Sequence, residues 1–264
     1  DVKNGDVLIA VNGKMVDKTV SRDYYFTFAS MPPELALTFD RKGTRIETRL
    51  RPVGYSAINS LLYDEWIDFN QKYVDKLSGN KIAYVYIKNM SEGSLNSFLI
   101  EMTSEAVDRD ALIIDLRYNT GGNIHDDLIN FLSQKPYLEW KFRDGKISPQ
   151  PNFAPAGKPM AVLVNEQSLS DAEMTTAGLK ALNLGTVIGT ETYRWIIFTS
   201  SKSLVDGSSC RLPAWGCYTL DGKNLEFEGV KPDIYVKTGF KEKVTNKDPQ
   251  LDKAIEVLLK EIGK

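Results

Sequence analysis

The sequence predicts an α/β protein preceded by a smaller β-rich module, and three observations predict it. From Lys81 onward, short apolar runs alternate with segments whose apolar residues recur every three or four positions, as in strands covered by helices. The runs 111–116 and 160–164 are nearly continuous in apolar residues, as strands buried on both faces would be. The stretch before residue 55 reads instead as short strands and turns.

In the first module, residues 1–54, the strand Val7–Val11 runs into an Asn12-Gly13 turn, and 35–39 leads through Lys42-Gly43 into 46–50. Leu62, Trp66, Phe69, Tyr73 and Leu77 then recur at helical spacing and predict a connector over 55–80 packed on one face. Residues 81–264 form the main domain. Its first strand is 82–87, followed by a helix carrying Leu95, Phe98, Leu99, Met102 and Ala106. Asp248-Pro249 opens the closing helix, which carries Leu251, Ala254, Ile255, Leu258, Leu259 and Ile262; aspartate as cap and proline in the first turn set its start.

Composition narrows the function classes. The 33 basic and 35 acidic residues leave a net charge of −2 with no basic stripe, so attraction to nucleic acid has no source. No apolar run approaches the roughly 20 residues that cross a bilayer. No His/Cys/Asp cluster has metal-ligand spacing, and no metal or other cofactor is expected. Cys210 and Cys217 flank a turn-like Arg-Leu-Pro-Ala-Trp-Gly segment. They are either a disulfide across a hairpin, which would imply an oxidising compartment, or two reduced core thiols.

Reactive groups of parallel sheets collect beyond the carboxyl ends of the strands, where helix N-termini present unpaired N–H groups. Two loops occupy such positions. Arg117-Tyr-Asn-Thr-Gly-Gly-Asn123 follows the 111–116 run; its adjacent glycines are either a plain turn or a close backbone approach to an oxyanion. Asn165-Glu-Gln-Ser-Leu-Ser-Asp-Ala-Glu173 places Ser170 on a strand-to-helix turn. Ser170 is either an exposed nucleophile or the serine of a Ser170-Asp-Ala-Glu173 capping box. The Gly-x-Ser-x-Gly signature of an α/β-hydrolase elbow is absent.

Four motifs together carry a resemblance. They are Leu112-Ile-Ile-Asp-Leu-Arg-Tyr-Asn-Thr-Gly-Gly122, Val164-Asn-Glu-Gln-Ser-Leu-Ser-Asp-Ala-Glu173, Ile188-Gly-Thr-Glu-Thr192 and Gly229-Val-Lys-Pro-Asp233. In this order they resemble the tail-specific, or C-terminal processing, serine peptidases, and more the tricorn-core branch. The connector Tyr63-Asp-Glu-Trp-Ile-Asp-Phe-Asn-Gln-Lys-Tyr73 and the terminal Lys247-Asp-Pro-Gln-Leu-Asp252 are similar to that branch too. The opening Asn4-Gly-Asp-Val-Leu-Ile-Ala-Val-Asn-Gly13 resembles the later part of a PDZ module.

The resemblance implies a crotonase-like α/β spiral peptidase core after a partial PDZ-like module. It also implies a serine endopeptidase with Ser170 as nucleophile, backbone N–H groups of Gly121, Gly122 and Asp171 as oxyanion hole, and no cofactor. Glu226, three residues before the Gly-Val-Lys-Pro-Asp motif, falls on the glutamate that completes a relay around a histidine; otherwise it is a solvated strand charge. The lysine base of the processing branch is replaced by Trp195, which becomes a site contact, so a Ser/Lys dyad is not expected. The tricorn branch takes its histidine from a segment before the PDZ module, and the expectation is that this chain continues a longer polypeptide that carries it. The single histidine, His125, is either an exposed helix-start residue or a group at the site, as a substitute base or a substrate contact. The implied substrate is a polypeptide, with C-terminal tails a candidate class, and family habit places such enzymes in the bacterial cell envelope, the cytoplasm being the alternative. A catalytically inactive peptide- or lipid-binding protein on the same scaffold is the competing class; for an acyl-CoA enzyme no residue argues.

Overall fold

The computed structural model describes residues 2–30 and 32–263. Asp1 and Lys264, the outer ends of the two predicted domains, and Met31 lie outside the described residues. The chain divides into two compact units, the first ending at Trp66 and the second beginning at Ile67.

The first unit holds β1 (Val7–Val11), β2 (Lys14–Met15), the short helix α1 (Asp23–Phe26), β3 (Leu35–Arg41) and β4 (Thr44–Leu50). Its antiparallel sheet has the order β2-β1-β3-β4. Both predicted turns are two-residue hairpins. Asn12 and Gly13 have φ of 48° and 79°, and Lys42 and Gly43 have φ of 51° and 86°, the paired positive values that match strand twist. Val11, Tyr25, Leu35 and Leu37 form the core. Asp6 of the Asn4-Gly-Asp segment is gripped by Arg41 at 2.6 and 2.7 Å, and that hydrogen-bonded guanidinium holds its carboxyl down at about 2.

The helix α2 (Tyr55–Ser78) runs across the division. Its buried residues are Asn70, Val74 and Ser78, whereas Leu62, Phe69 and Leu77 are exposed, so the predicted apolar face is not the packed one. Polar partners decide this. Asn70 donates to the Tyr84 hydroxyl at 3.0 Å, and Ser78 Oγ accepts from Ile82 N–H at 3.3 Å.

Beyond it come β5 (Ile82–Tyr86), α3 (Glu92–Thr103), β6 (Ala111–Asp115), α4 (His125–Leu132), the hairpin β7 (Leu138–Lys141) with β8 (Ile147–Gln150), and β9 (Met160–Val164). Then follow α5 (Asp171–Ala181), β10 (Thr186–Gly189), the hairpin β11 (Phe198–Ser203) with β12 (Ser209–Trp215), α6 (Leu225–Glu228), β13 (Ile234–Tyr235), α7 (Phe240–Val244) and α8 (Pro249–Ile262). The main sheet is parallel throughout, in the order β13-β10-β9-β6-β5. Each strand lies beside its predecessor. Because crossovers keep one hand, the helices α3, α4 and α5 share one face. There Phe98, Leu128, Leu132 and Leu179 pack on Val85, Ile114, Val162 and Val187. On the other face α8 lies over β6, β9 and β10 with Leu251, Ala254, Ile255 and Leu258 buried. Asp248 caps it, accepting Leu251 N–H at 3.0 Å, at the predicted start.

Asp248 also receives Arg117 Nη1 at 2.7 Å, and Arg117 pairs with the buried Asp115 at 2.6 Å. Tyr84 donates its hydroxyl to Asp115 at 2.8 Å; burial, then the Asp115 charge, pushes that phenol well above its ordinary range. The network ties the end of β6 to the start of α8.

Of the two cysteine readings the reduced thiols stand, half-buried rather than in the core, and the turn between them needs correction. Both thiols are free, and the segment between them is not a turn but most of strand β12. An extended strand rises about 3.3 Å per residue, which carries Cys217 far beyond the Cα separation of about 5.5–6 Å that a disulfide spans. The argument from cysteines to an oxidising compartment falls with it. Among the described residues, no helix is long and apolar enough to cross a membrane.

Candidate active site

Strands β6 and β9 are neighbours with their carboxyl ends at the same edge of the sheet, and the two loops that leave them are laced together. Ser168 donates its hydroxyl to the Leu116 carbonyl at 2.8 Å, Tyr118 N–H donates to Asn165 Oδ1 at 3.1 Å, and Leu169 N–H donates to the Asn119 carbonyl at 3.1 Å. Asn119 is fully buried, and its amide also donates to the Ile87 carbonyl at 2.7 Å. These bonds leave neither loop free to drift from the other.

Ser170 occupies a backbone conformation that L-residues avoid, with φ 55° and ψ −118°. Such strain costs about 1–3 kcal/mol and persists only where neighbours over-determine it. Ser170 and Glu173 are laid out as a capping box, and the glutamate half is closed, Ser170 N–H donating to Glu173 Oε2 at 2.9 Å. The Ser170 hydroxyl faces Glu173 N–H as the other half of the box, but that N–H makes its hydrogen bond to the Ser170 carbonyl oxygen at 2.9 Å and none to the hydroxyl.

The glycine turn abuts this hydroxyl. A Cβ on Gly121, whose φ is 79°, would stand 2.7 Å from Ser170 Cβ and 3.2 Å from its Oγ, so only glycine permits the approach. Gly122 is pressed as closely onto Met90, whose carbonyl oxygen lies 2.0 Å from where a Cβ would be. Met90 N–H donates to the Gly121 carbonyl at 2.9 Å and Asn123 N–H to the Met90 carbonyl at 2.8 Å. Gly121 N–H is taken by Asn119 Oδ1 at 2.8 Å. The N–H groups of Gly122 and Asp171 have no hydrogen bond among the described residues.

The Asp171 side chain turns the other way, into the protein. It is buried and accepts Ile124 N–H at 2.6 Å and His125 N–H at 3.2 Å, capping α4 from a different helix. Its other oxygen lies 2.5 Å from His125 Nδ1.

Residues 81–236 match the family described as Peptidase family S41. The chain belongs to that family. Within it, the tricorn protease of Thermoplasma volcanium is 32% identical over 204 residues, 76% of this chain and 20% of that protein. The carboxy-terminal processing protease CtpA of Bacillus subtilis is 25% identical over 240 residues, 88% of this chain and 49% of that one. A crystal structure of the tricorn protease superposes with a TM-score of 0.82 at 25% identity, covering 98% of this chain and 25% of that chain. The α/β fold is thus that of the tricorn protease, and this S41 chain spans about a fifth of the length of the tricorn proteases it matches.

The remaining residues singled out from the S41 sequence fall as follows. His125 is the first residue of α4 and is mostly buried, not exposed. Trp195 is half exposed, with its ring 5.5 Å from that of Tyr193 and its backbone N–H donated to Glu173 Oε2 at 2.9 Å. Glu226 stands on the short helix α6 rather than a strand; it is exposed, and its carboxylate has no partner among the described residues. Its neighbour Leu225 is buried with Ile196 and Val230 against Met174 and Ala177 of α5, the helix that Ser170 begins. Sequence reasoning passed over Asn119, Ser168 and the side chain of Asp171. It found Glu173 only as a cap partner, through the Ser-x-x-Glu spacing. Among the described residues no three of His, Cys, Asp and Glu are grouped to hold a metal ion.

Proposed function

We propose that this chain is the hydrolytic core of a serine endopeptidase in which Ser170 attacks the peptide carbonyl. The hydroxyl proton passes to a base as the carbonyl carbon becomes tetrahedral. The resulting oxyanion is met by the N–H groups of Gly122 and Asp171, while Gly121 contributes chiefly by the side chain it lacks. Collapse breaks the C–N bond, the leaving amine takes the proton, and water then hydrolyses the acyl ester. The observation that carries this assignment is the Ser170 turn: a strained serine whose hydroxyl makes no cap hydrogen bond, next to the Gly122 and Asp171 N–H groups that have no partner among the described residues.

The base proposed is a histidine of a preceding segment, with Glu226, whose carboxylate has no partner among the described residues, completing its relay. His125 is the base available inside the chain. Asp171 engages its Nδ1, which leaves Nε2 as the nitrogen to accept a proton. Substrates are polypeptides. The N-terminal sheet is read as a partial PDZ-like module that adds a peptide tail as a further strand, and the one-way march of β5, β6, β9, β10 and β13 as a crotonase-like spiral. Trp195, in the place of the processing-branch lysine, favours a second assignment, a peptide-binding protein that has lost catalysis.

A fluorophosphonate probe on the full-length protein separates the two. Labelling that disappears in Ser170→Ala is the expected result. An unlabelled wild type that still binds peptide would establish the binding protein instead. In the same assay His125→Gln keeps its labelling if the base comes from elsewhere and loses it if His125 is the base.

A further inference from the structure

We infer that Glu173 is a positioning residue of the hydrolytic site, its buried carboxylate fastening the Ser170 backbone to the 192–195 loop and to the segment that carries Glu226. The inference rests on the peptidase assignment of Ser170 and deepens it. Glu173 has no exposed surface, and each of its oxygens accepts two hydrogen bonds. Oε2 takes Ser170 N–H and Trp195 N–H, both at 2.9 Å. Oε1 takes the Thr192 hydroxyl and Arg194 N–H, both at 2.7 Å.

The geometry of sharing matters. Since the Ser170 and Trp195 nitrogens contact the same oxygen, they are held within twice 2.9 Å of each other. Two strained residues hang on this one carboxylate, Ser170 at φ 55° and Arg194 at φ 72°. The chain of bonds goes further: Val230 N–H donates to Thr192 Oγ1 at 2.8 Å, and Thr192 N–H to the Val230 carbonyl at 3.2 Å. Val230 directly follows Gly229, where α6, the helix of Glu226, is capped; a Cβ there would stand 3.0 Å from Arg194 Cγ. Three segments distant in sequence are thus indexed to one side chain. Its charge is felt nearby: burial first, and then Glu173, raise the Cys217 thiol above its ordinary range.

A neutral amide cannot replace this group. Glutamine offers one acceptor oxygen and one NH2 donor, so one end would face donors with a donor. Ser170 would lose the bond that offsets its strain, or the loop would lose its hold at Arg194 or Trp195. A misplacement of about 1 Å at a reacting atom costs on the order of a hundredfold in rate.

The test uses the full-length protein with a fluorophosphonate probe and a peptide substrate, comparing wild type, Glu173→Gln, Thr192→Val and Thr192→Ser. Glu173→Gln is expected to lower labelling rate and kcat on the order of a hundredfold with KM within about twofold. Thr192→Val, nearly the same shape without the hydroxyl, is expected to lower both on the order of tenfold, and Thr192→Ser to restore them. A folded Glu173→Gln that labels at the wild-type rate, or one in which only KM rises, overturns the inference. Should Glu173→Gln fail to fold, the threonine pair decides, and a Thr192→Val rate equal to wild type overturns it. If wild type itself is not labelled, the peptidase assignment has failed, a result distinct from any of these.

Discussion

Ser91 and Ser170 each stand immediately before a helix, and they do different things there. Ser91 precedes α3 with φ −98° and ψ 161°, and its hydroxyl accepts Ser94 N–H at 3.3 Å as a cap should. Ser170 precedes α5 with φ 55° and ψ −118°, and its hydroxyl caps nothing. Ser91 therefore stabilises α3, whereas the strain at Ser170 is held by Glu173 and by the Asn119 carbonyl on the preceding residue. A serine at a helix start caps its helix by default, and the strained backbone that other segments impose is what sets Ser170 apart from Ser91.

Four substitutions break or sharpen this contrast. The largest effect belongs to Ser170→Ala, which should abolish fluorophosphonate labelling and turnover yet leave unfolding free energy within about 0.5 kcal/mol, because no cap bond is lost. Denaturant titration alongside labelling checks it, and a large stability loss would return Ser170 to the role of cap. Next is Gly121→Ala, whose methyl would meet Ser170 Cβ at 2.7 Å from a backbone at φ 79°. Labelling should slow on the order of a hundredfold, with about 1–3 kcal/mol of added strain; a wild-type labelling rate would mean the turn does not position the hydroxyl.

Ser91→Ala is the mirror experiment. It should cost about 0.5–2 kcal/mol in urea unfolding while labelling stays unchanged, and equal stability would remove the basis of the comparison. The smallest effect is expected at Glu101, on the same helix α3, because its carboxyl is only partly buried and is screened by solvent. Burial, then the charge of Glu105, raises it from an ordinary 4.5 to about 7. The folded protein thus holds this proton more tightly than the unfolded chain. Its contribution to stability is complete below about pH 4.5 and is lost as pH rises through about 7. Glu101→Gln should therefore gain on wild type above pH 7 and not near pH 4.5, as read from urea midpoints across that range; parallel pH profiles would contradict this.

Legibility followed the range of the interactions involved. The strands β6 and β9 announce themselves because burial on both faces demands an apolar run, and α8 because Asp248-Pro249 satisfies a helix start locally. The hairpin turns at Asn12-Gly13 and Lys42-Gly43 are legible for the same reason. The packed face of α2 was not, since Asn70 is buried for the sake of Tyr84 and Asp115, and no periodicity of apolar residues records a polar partner on another element. Strand β12 hid as a turn because Pro213 and its mostly exposed residues lack the alternation of a half-buried strand.

The candidate site divides in the same way. Its loops could be located from sequence because they follow recognisable strands, and Ser170 and the glycine pair could be named because their spacing resembles S41 peptidases. By itself, then, the sequence determined the α/β order, the places where loops leave the sheet, and the family. Whether the Ser170 hydroxyl would cap a helix or stand free was decided only by tertiary structure. Local spacing fits both outcomes, and the choice depends on Glu173, Asn119 and Gly121 acting on one backbone turn from separate segments of the chain.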